Sequence, residues 1–143
     1  MALSIERIQA LLDDSPFIAF LGIRCTAVSE SPATTTLELP MAPALERGRG
    51  SNQFHGGAIA SLIDTAGDFA VIAGSGAGVP TIDLRVDYLR PAFGPRLTAT
   101  ASARRIGRTI GVADVDVFDD DQRLVAVGRG CFAIVSSSEG KNS

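Results

Sequence analysis

Residues 52–73 read NQFHGGAIASLIDTAGDFAVIA, and the pattern of this stretch decides the fold. It holds the one histidine of the chain, His55, then a Gly-Gly pair and a long apolar run. After the glycines the polar residues are Ser61, Asp64, Thr65 and Asp68. That i, i+3, i+4, i+7 series falls within about 100° of arc on an α-helix. A helix that is apolar over the rest of its circumference is buried. The spacing therefore predicts a central helix with one narrow polar stripe. A solvated outer face would be wider, and two carboxylates at a buried position need partners or a function. The stripe is expected to line a cleft or a subunit interface.

The chain around it has 143 residues, the size of a single domain with a core of its own. A net charge of −3 gives no general basic footprint, so no nucleic-acid partner is expected. Residues 2–14 carry Glu6, Arg7, Asp13 and Asp14 and lack a continuous apolar segment, so no secretory signal is expected. Asp64 and Asp68 interrupt the longest apolar run, which argues against a membrane span. A cytoplasmic location is the default expectation. Cys25 and Cys131 form no CxxC motif and are expected as free thiols in strands. One histidine without a Cys/His cluster points to no metal site.

Working outward, residues 4–12 have helical periodicity with Ser4 as N-cap and Ile5, Ile8, Leu11 and Leu12 on one side. A short apolar element follows at 17–21. Residues 23–29 and 33–39 read as strands separated by Ser31-Pro32, and 40–51 as a loop punctuated by proline and glycine. The central helix stops at the glycine-rich 74–78. Four further strands follow: 81–90, 97–106, 109–118 and 123–135, the first alternating Ile82, Leu84, Val86 and Tyr88 against Asp83, Arg85 and Asp87. Residues 136–143 read as a flexible polar tail. Short connections make the strands antiparallel. Two strands, a long helix and four strands predict an α+β domain, a curved six-stranded antiparallel sheet wrapped around one helix, with a face or edge left for a second subunit.

Three blocks carry a resemblance to a known family. They are His55-Gly56-Gly57-Ala58 with an aspartate nine positions after the histidine, residues 81–92 (TIDLRVDYLRPA), and Leu97-Thr98-Ala99 followed by Gly107-Arg108. Over residues 21–135 the chain resembles the hotdog-fold acyl-CoA thioesterases of the PaaI-like, phenylacetate-degradation-type branch. The resemblance implies one hotdog domain over 1–143, with 1–21 as an N-terminal helical segment. It also implies an acyl-CoA or aryl-CoA substrate, no cofactor apart from the coenzyme A of the substrate, and a homodimer or homotetramer (a dimer of dimers) with the site at the dimer interface.

The chemistry of the residues agrees with it. Free N–H groups at a helix start carry partial positive charge, so a thioester carbonyl against the Gly57 amide would be polarised. Asp64 lies ~13 Å of helical rise from His55, too far for both to reach one carbonyl within a chain. An Asp64 from a neighbouring subunit fills the gap. By resemblance Asp64 is the general base or the nucleophile. Thr81 would position the water, and His55 would orient the loop, the alternative being a helix-start histidine bonded to backbone. Asp68 stands where relatives often carry Ser or Thr, and two carboxylates one turn apart would raise the pKa of one of them. Arg49 stands where many relatives have Asn or Gln, so Asn52 or Gln53 is expected to substitute. Phe54 and Gly56 would line the substrate site, and Arg90, Arg104, Arg105 and Arg108 are candidates for the coenzyme A phosphates, with Arg47 and Arg49 in the loop. The competing readings are a non-catalytic acyl-CoA-binding hotdog module and an enoyl-CoA hydratase.

Overall fold

The chain runs α1 (Ile5–Asp14), α2 (Pro16–Leu21), β1 (Arg24–Glu30), β2 (Ala33–Pro40), a 3-10 turn (Pro43–Leu45), α3 (Gly56–Ser75), β3 (Thr81–Tyr88), β4 (Arg96–Ile106), β5 (Ile110–Phe118) and β6 (Leu124–Ala133). These elements come from a computed structural model that describes residues 3–135. The expected tail at 136–143 lies outside the described residues. All six strands join one antiparallel sheet in the order β1-β2-β4-β5-β6-β3. Helix α3 packs against every one of them, which a flat sheet could not offer. This is the hotdog arrangement the sequence predicted, and its strand order puts β1 and β3 at the two edges.

The core forms where the concave face meets α3. From the helix come Ile59, Leu62, Ile63, Ala66, Phe69, Ala70 and Val71; from the sheet come Leu37, Leu39, Leu97, Ala99, Val115, Val117 and Phe132, all buried. Strand β2 alternates cleanly, with Ala33, Thr35, Leu37 and Leu39 inward. Thr35 is tolerated there because its hydroxyl donates to Ala66 O at 2.8 Å. Ser4 caps α1 as predicted, accepting from Arg7 N–H. Only Ile8 and Leu12 of that helix are buried, while Ile5 and Leu11 stay exposed, so its covered face is narrower than the periodicity suggested. By length and composition α3 could cross a bilayer; here it is the core helix, most of it covered by sheet.

Strand β3 departs from the simple alternation read in the sequence. Its register with β6 shifts between Thr81 and Asp83, so that Thr81 pairs with Phe132, Asp83 with Cys131 and Leu84 with Gly130. The extra residue turns Thr81 onto the helix side with Leu84, Val86 and Tyr88, and leaves Ile82 exposed. One irregularity at the start of an edge strand thus re-aims a hydroxyl at the polar stripe.

Candidate active site

The site is built at the junction of α3 and β3. His55 is the N-cap of α3, and its Nδ1 accepts the Gly57 N–H at 2.8 Å. That N–H is not a free helix-start donor awaiting a carbonyl, as its position in the sequence suggests; the histidine of the same turn already engages it. His55 therefore has the backbone-bonded geometry that was its simpler alternative. Both His55 and Gly57 are exposed, so another acceptor can approach the same amide.

Along the helix the polar stripe resolves into different environments. Ser61 and Thr65 donate back to the carbonyls of Gly57 and Ser61, at 2.8 and 2.7 Å. Their hydroxyls are satisfied within the helix and offer no first claim on a ligand. Asp64 accepts from the Thr81 hydroxyl at 2.6 Å, across from α3 to β3. Asp68, one turn further, is part-buried, and its Oδ1 has no hydrogen-bond partner among the described residues. Burial pushes the Asp68 carboxyl from its ordinary 3.8 up to about 7, with the charge of Asp64 adding to the effect. The sequence predicted that one carboxylate of the pair would be raised, and the structure assigns the shift to Asp68.

Beside the helix start lies an open cleft of about 380 Å³ lined by Arg47, Gln53, Phe54, Gly56, Ile59, Tyr88 and residues 89–92. It brings together Gln53, Phe54, Gly56 and Arg90 of the expected substrate residues and adds the loop arginine Arg47. Phe54 forms the floor and is itself core, 2% exposed. Asn52 sits outside this lining, in the left-handed region (φ 56), with its N–H held by Glu46 at 2.6 Å. Of Asn52 and Gln53, the two expected to substitute for the polar residue at Arg49, Gln53 is the one that reaches the cleft.

The other arginines are not gathered there. Arg104 pairs with Asp114 at 3.5 Å on the outer sheet face, where Arg129 also binds Asp114 and holds its carboxyl below the usual range. Arg105 and Arg108 are exposed on the β4–β5 hairpin. Ile106 of that hairpin packs over Gly74, at the C-terminal end of α3 and so about 27 Å of rise from Gly56. Only a second chain could bring them near the cleft. Tyr88 was not singled out in the sequence, although it is the one tyrosine and closes the strand of the second motif block. Its hydroxyl donates to Gly56 O at 2.7 Å. Among the described residues there is no cluster of three or more side chains able to hold a metal ion.

Comparison with known proteins converges on one group. A sequence profile described as the thioesterase superfamily matches residues 52–126, from the helix-start loop to β6. A Halobacterium salinarum protein with a provisional esterase name is 41% identical over 138 residues, 89% of either chain. The acyl-coenzyme A thioesterase PaaI of Escherichia coli is 32% identical over 126 residues, covering 87% of this chain and 86% of its own. A solved thioesterase-superfamily structure superposes with a TM-score of 0.85 at 33% identity, over 92% of this chain and 98% of its own.

Proposed function

We propose that this chain, which belongs to the thioesterase superfamily, hydrolyses an acyl-CoA or aryl-CoA to the free acid and coenzyme A at a site shared between two subunits. The observation that carries the reading is the 2.6 Å bond from Thr81 to Asp64. It fixes one carboxylate oxygen and leaves the other to take a proton from water. Water attacks the carbonyl carbon as Asp64 accepts its proton, the oxyanion forms against the Gly57 N–H, and the C–S bond breaks to release the thiolate.

Gly57 and Asp64 are separated by about 10 Å of helical rise, whereas both must lie ~3 Å from the reacting group. Two copies related by a two-fold axis solve this, Gly57 of one facing Asp64 of the other. The free edge of β3 supports that pairing: no strand of the same chain covers it, and Ile82 and Tyr88 on it and Leu89 just beyond it are 58%, 53% and 52% exposed, beside the charged Asp83, Arg85 and Asp87. A homodimer is then the minimum unit, and a homotetramer, as a dimer of dimers, the fuller assembly. Arg47 and Arg90 at the cleft would hold the coenzyme A phosphates, and Gln53 would take the place of the polar residue that relatives carry at Arg49.

Asp68 fits the same scheme as a neutral acid. A protonated carboxyl carries an O–H donor, as Ser or Thr does, and the raised pKa keeps a good part of it protonated near neutrality. The departure from the family pattern is then chemically conservative below about pH 7. The test is a panel of acyl-CoA and aryl-CoA esters with thiol release followed continuously. Turnover abolished by Asp64→Asn supports the assignment. Saturable binding without thiol release would instead indicate a binding module.

A further inference from the structure

The two glycines after His55 leave room for two rings. A Cβ on Gly56 would come within 3.3 Å of Tyr88 Cζ and Oη, and a Cβ on Gly57 within 3.1 Å of His55 Nδ1. Those rings hold opposite ends of one peptide unit. Tyr88 donates to the Gly56 carbonyl at 2.7 Å, and the Gly57 N–H donates to His55 at 2.8 Å. The carbonyl and the N–H belong to the same planar amide. A bond donated to the oxygen draws electron density toward it and leaves the N–H more positive, a cooperative gain of about 10–30% per bond. It also fixes the tilt of the plane. Tyr88 is the last residue of β3 and pairs with Ala126 of β6, so the sheet sets the direction of that N–H rather than the exposed loop before the helix.

We propose that Tyr88 is a positioning residue for the Gly57 N–H, aiming and polarising the donor that receives the thioester oxygen, while His55 occupies that donor until the substrate carbonyl displaces it. The proposal rests on the thioesterase reading above and adds a residue to it. It accounts for two features together: why both positions after the histidine are glycine, and why the tyrosine hydroxyl reaches across the cleft to backbone. An arriving carbonyl exchanges one acceptor for another on an amide whose orientation is already set. The donor therefore needs no reorganisation when negative charge develops.

Tyr88→Phe keeps the ring and removes only the hydroxyl. With octanoyl-CoA as probe, kcat is expected to fall about three- to tenfold, with KM and melting temperature held. The carbonyl of 13C-labelled octanoyl-CoA bound to the Asp64→Asn protein should absorb at higher wavenumber once Tyr88→Phe is added, because the carbonyl is less polarised. An unshifted band, or a kcat loss that merely tracks a lower melting temperature, would overturn the proposal. Absence of thiol release by the unsubstituted protein would instead sink the thioesterase reading, and the band of the bound ester would still decide the role of Tyr88.

Discussion

The Thr81 hydroxyl donates to Asp64 Oδ1 at 2.6 Å, joining the first residue of β3 to the middle of α3 across 17 positions of sequence. Such a bond orients the carboxylate and holds one of its oxygens in place. Asp64→Asn should lower kcat at least about 100-fold, the usual scale of a lost general base. Thr81→Val, nearly isosteric, should cost about tenfold by letting the carboxylate rotate. Thiol-release kinetics on the purified variants check both, and a Thr81→Val enzyme with wild-type kcat would remove the hydroxyl from the mechanism.

Asp68 predicts a pH dependence of definite sign. Its carboxyl ionises near 3.8 when solvated and near 7 in the folded chain. Between those values the folded state binds more protons than the unfolded one. The stability it contributes is thus complete below about pH 4 and lost as pH rises through about 7. Asp68→Asn keeps a donor and carries no charge, so this variant should gain melting temperature over wild type at pH 8 and show little difference at pH 5. Its activity should also lack the decline that Asp68 ionisation imposes above neutrality. Parallel melting curves across pH 4–9 would expose the opposite trend.

A shared site makes a prediction about mixing. Asp64→Asn and Gly57→Pro remove the base and the donor; proline is tolerated in the first helical turn, where its ring displaces only the exposed His55 side chain. Each variant alone should be inactive. Dissociated and re-associated one to one, half of the dimers are mixed and each has one intact site of two, so about a quarter of the wild-type sites return. No recovery in a sample proven by mass spectrometry to contain mixed dimers would place both groups in one chain.

Arg47 and Arg90 line the cleft beside Gly56. If they hold phosphates, Arg47→Ala or Arg90→Ala should raise KM for acyl-CoA about tenfold and weaken its salt dependence, with kcat largely kept. A truncated thioester of N-acetylcysteamine lacks the phosphates and should be hydrolysed equally by all three proteins. Arg104→Ala should leave KM unchanged, since that side chain already pairs with Asp114 on the outer sheet face.

Much of the molecule was legible from residue pattern. The stripe of residues 61–68 within an apolar segment marked a buried helix, and the runs at 33–39 and 109–118, set off by turn residues, marked strands. Asp64 and Thr81 could be suspected from a motif and its spacing. Their bond could not, because it depends on a register shift in β3 that no alternation encodes. The same holds for Arg104: its residue type suits a phosphate, but its position on β4 delivers it to Asp114.

What the sequence determined by itself was periodicity and local chemistry: an apolar helix with carboxylates at fixed spacing, a histidine and two glycines at its start, and strands joined by short turns. These depend on neighbours along the chain. What only the tertiary structure decided was which distant groups meet. It pairs Thr81 with Asp64, sets Tyr88 on the Gly56 carbonyl, engages the Gly57 N–H with His55 and leaves Asp68 Oδ1 without a partner among the described residues. The physical reason is that burial and hydrogen-bond direction are properties of the packed sheet and helix together, fixed by strand order and by one bulge.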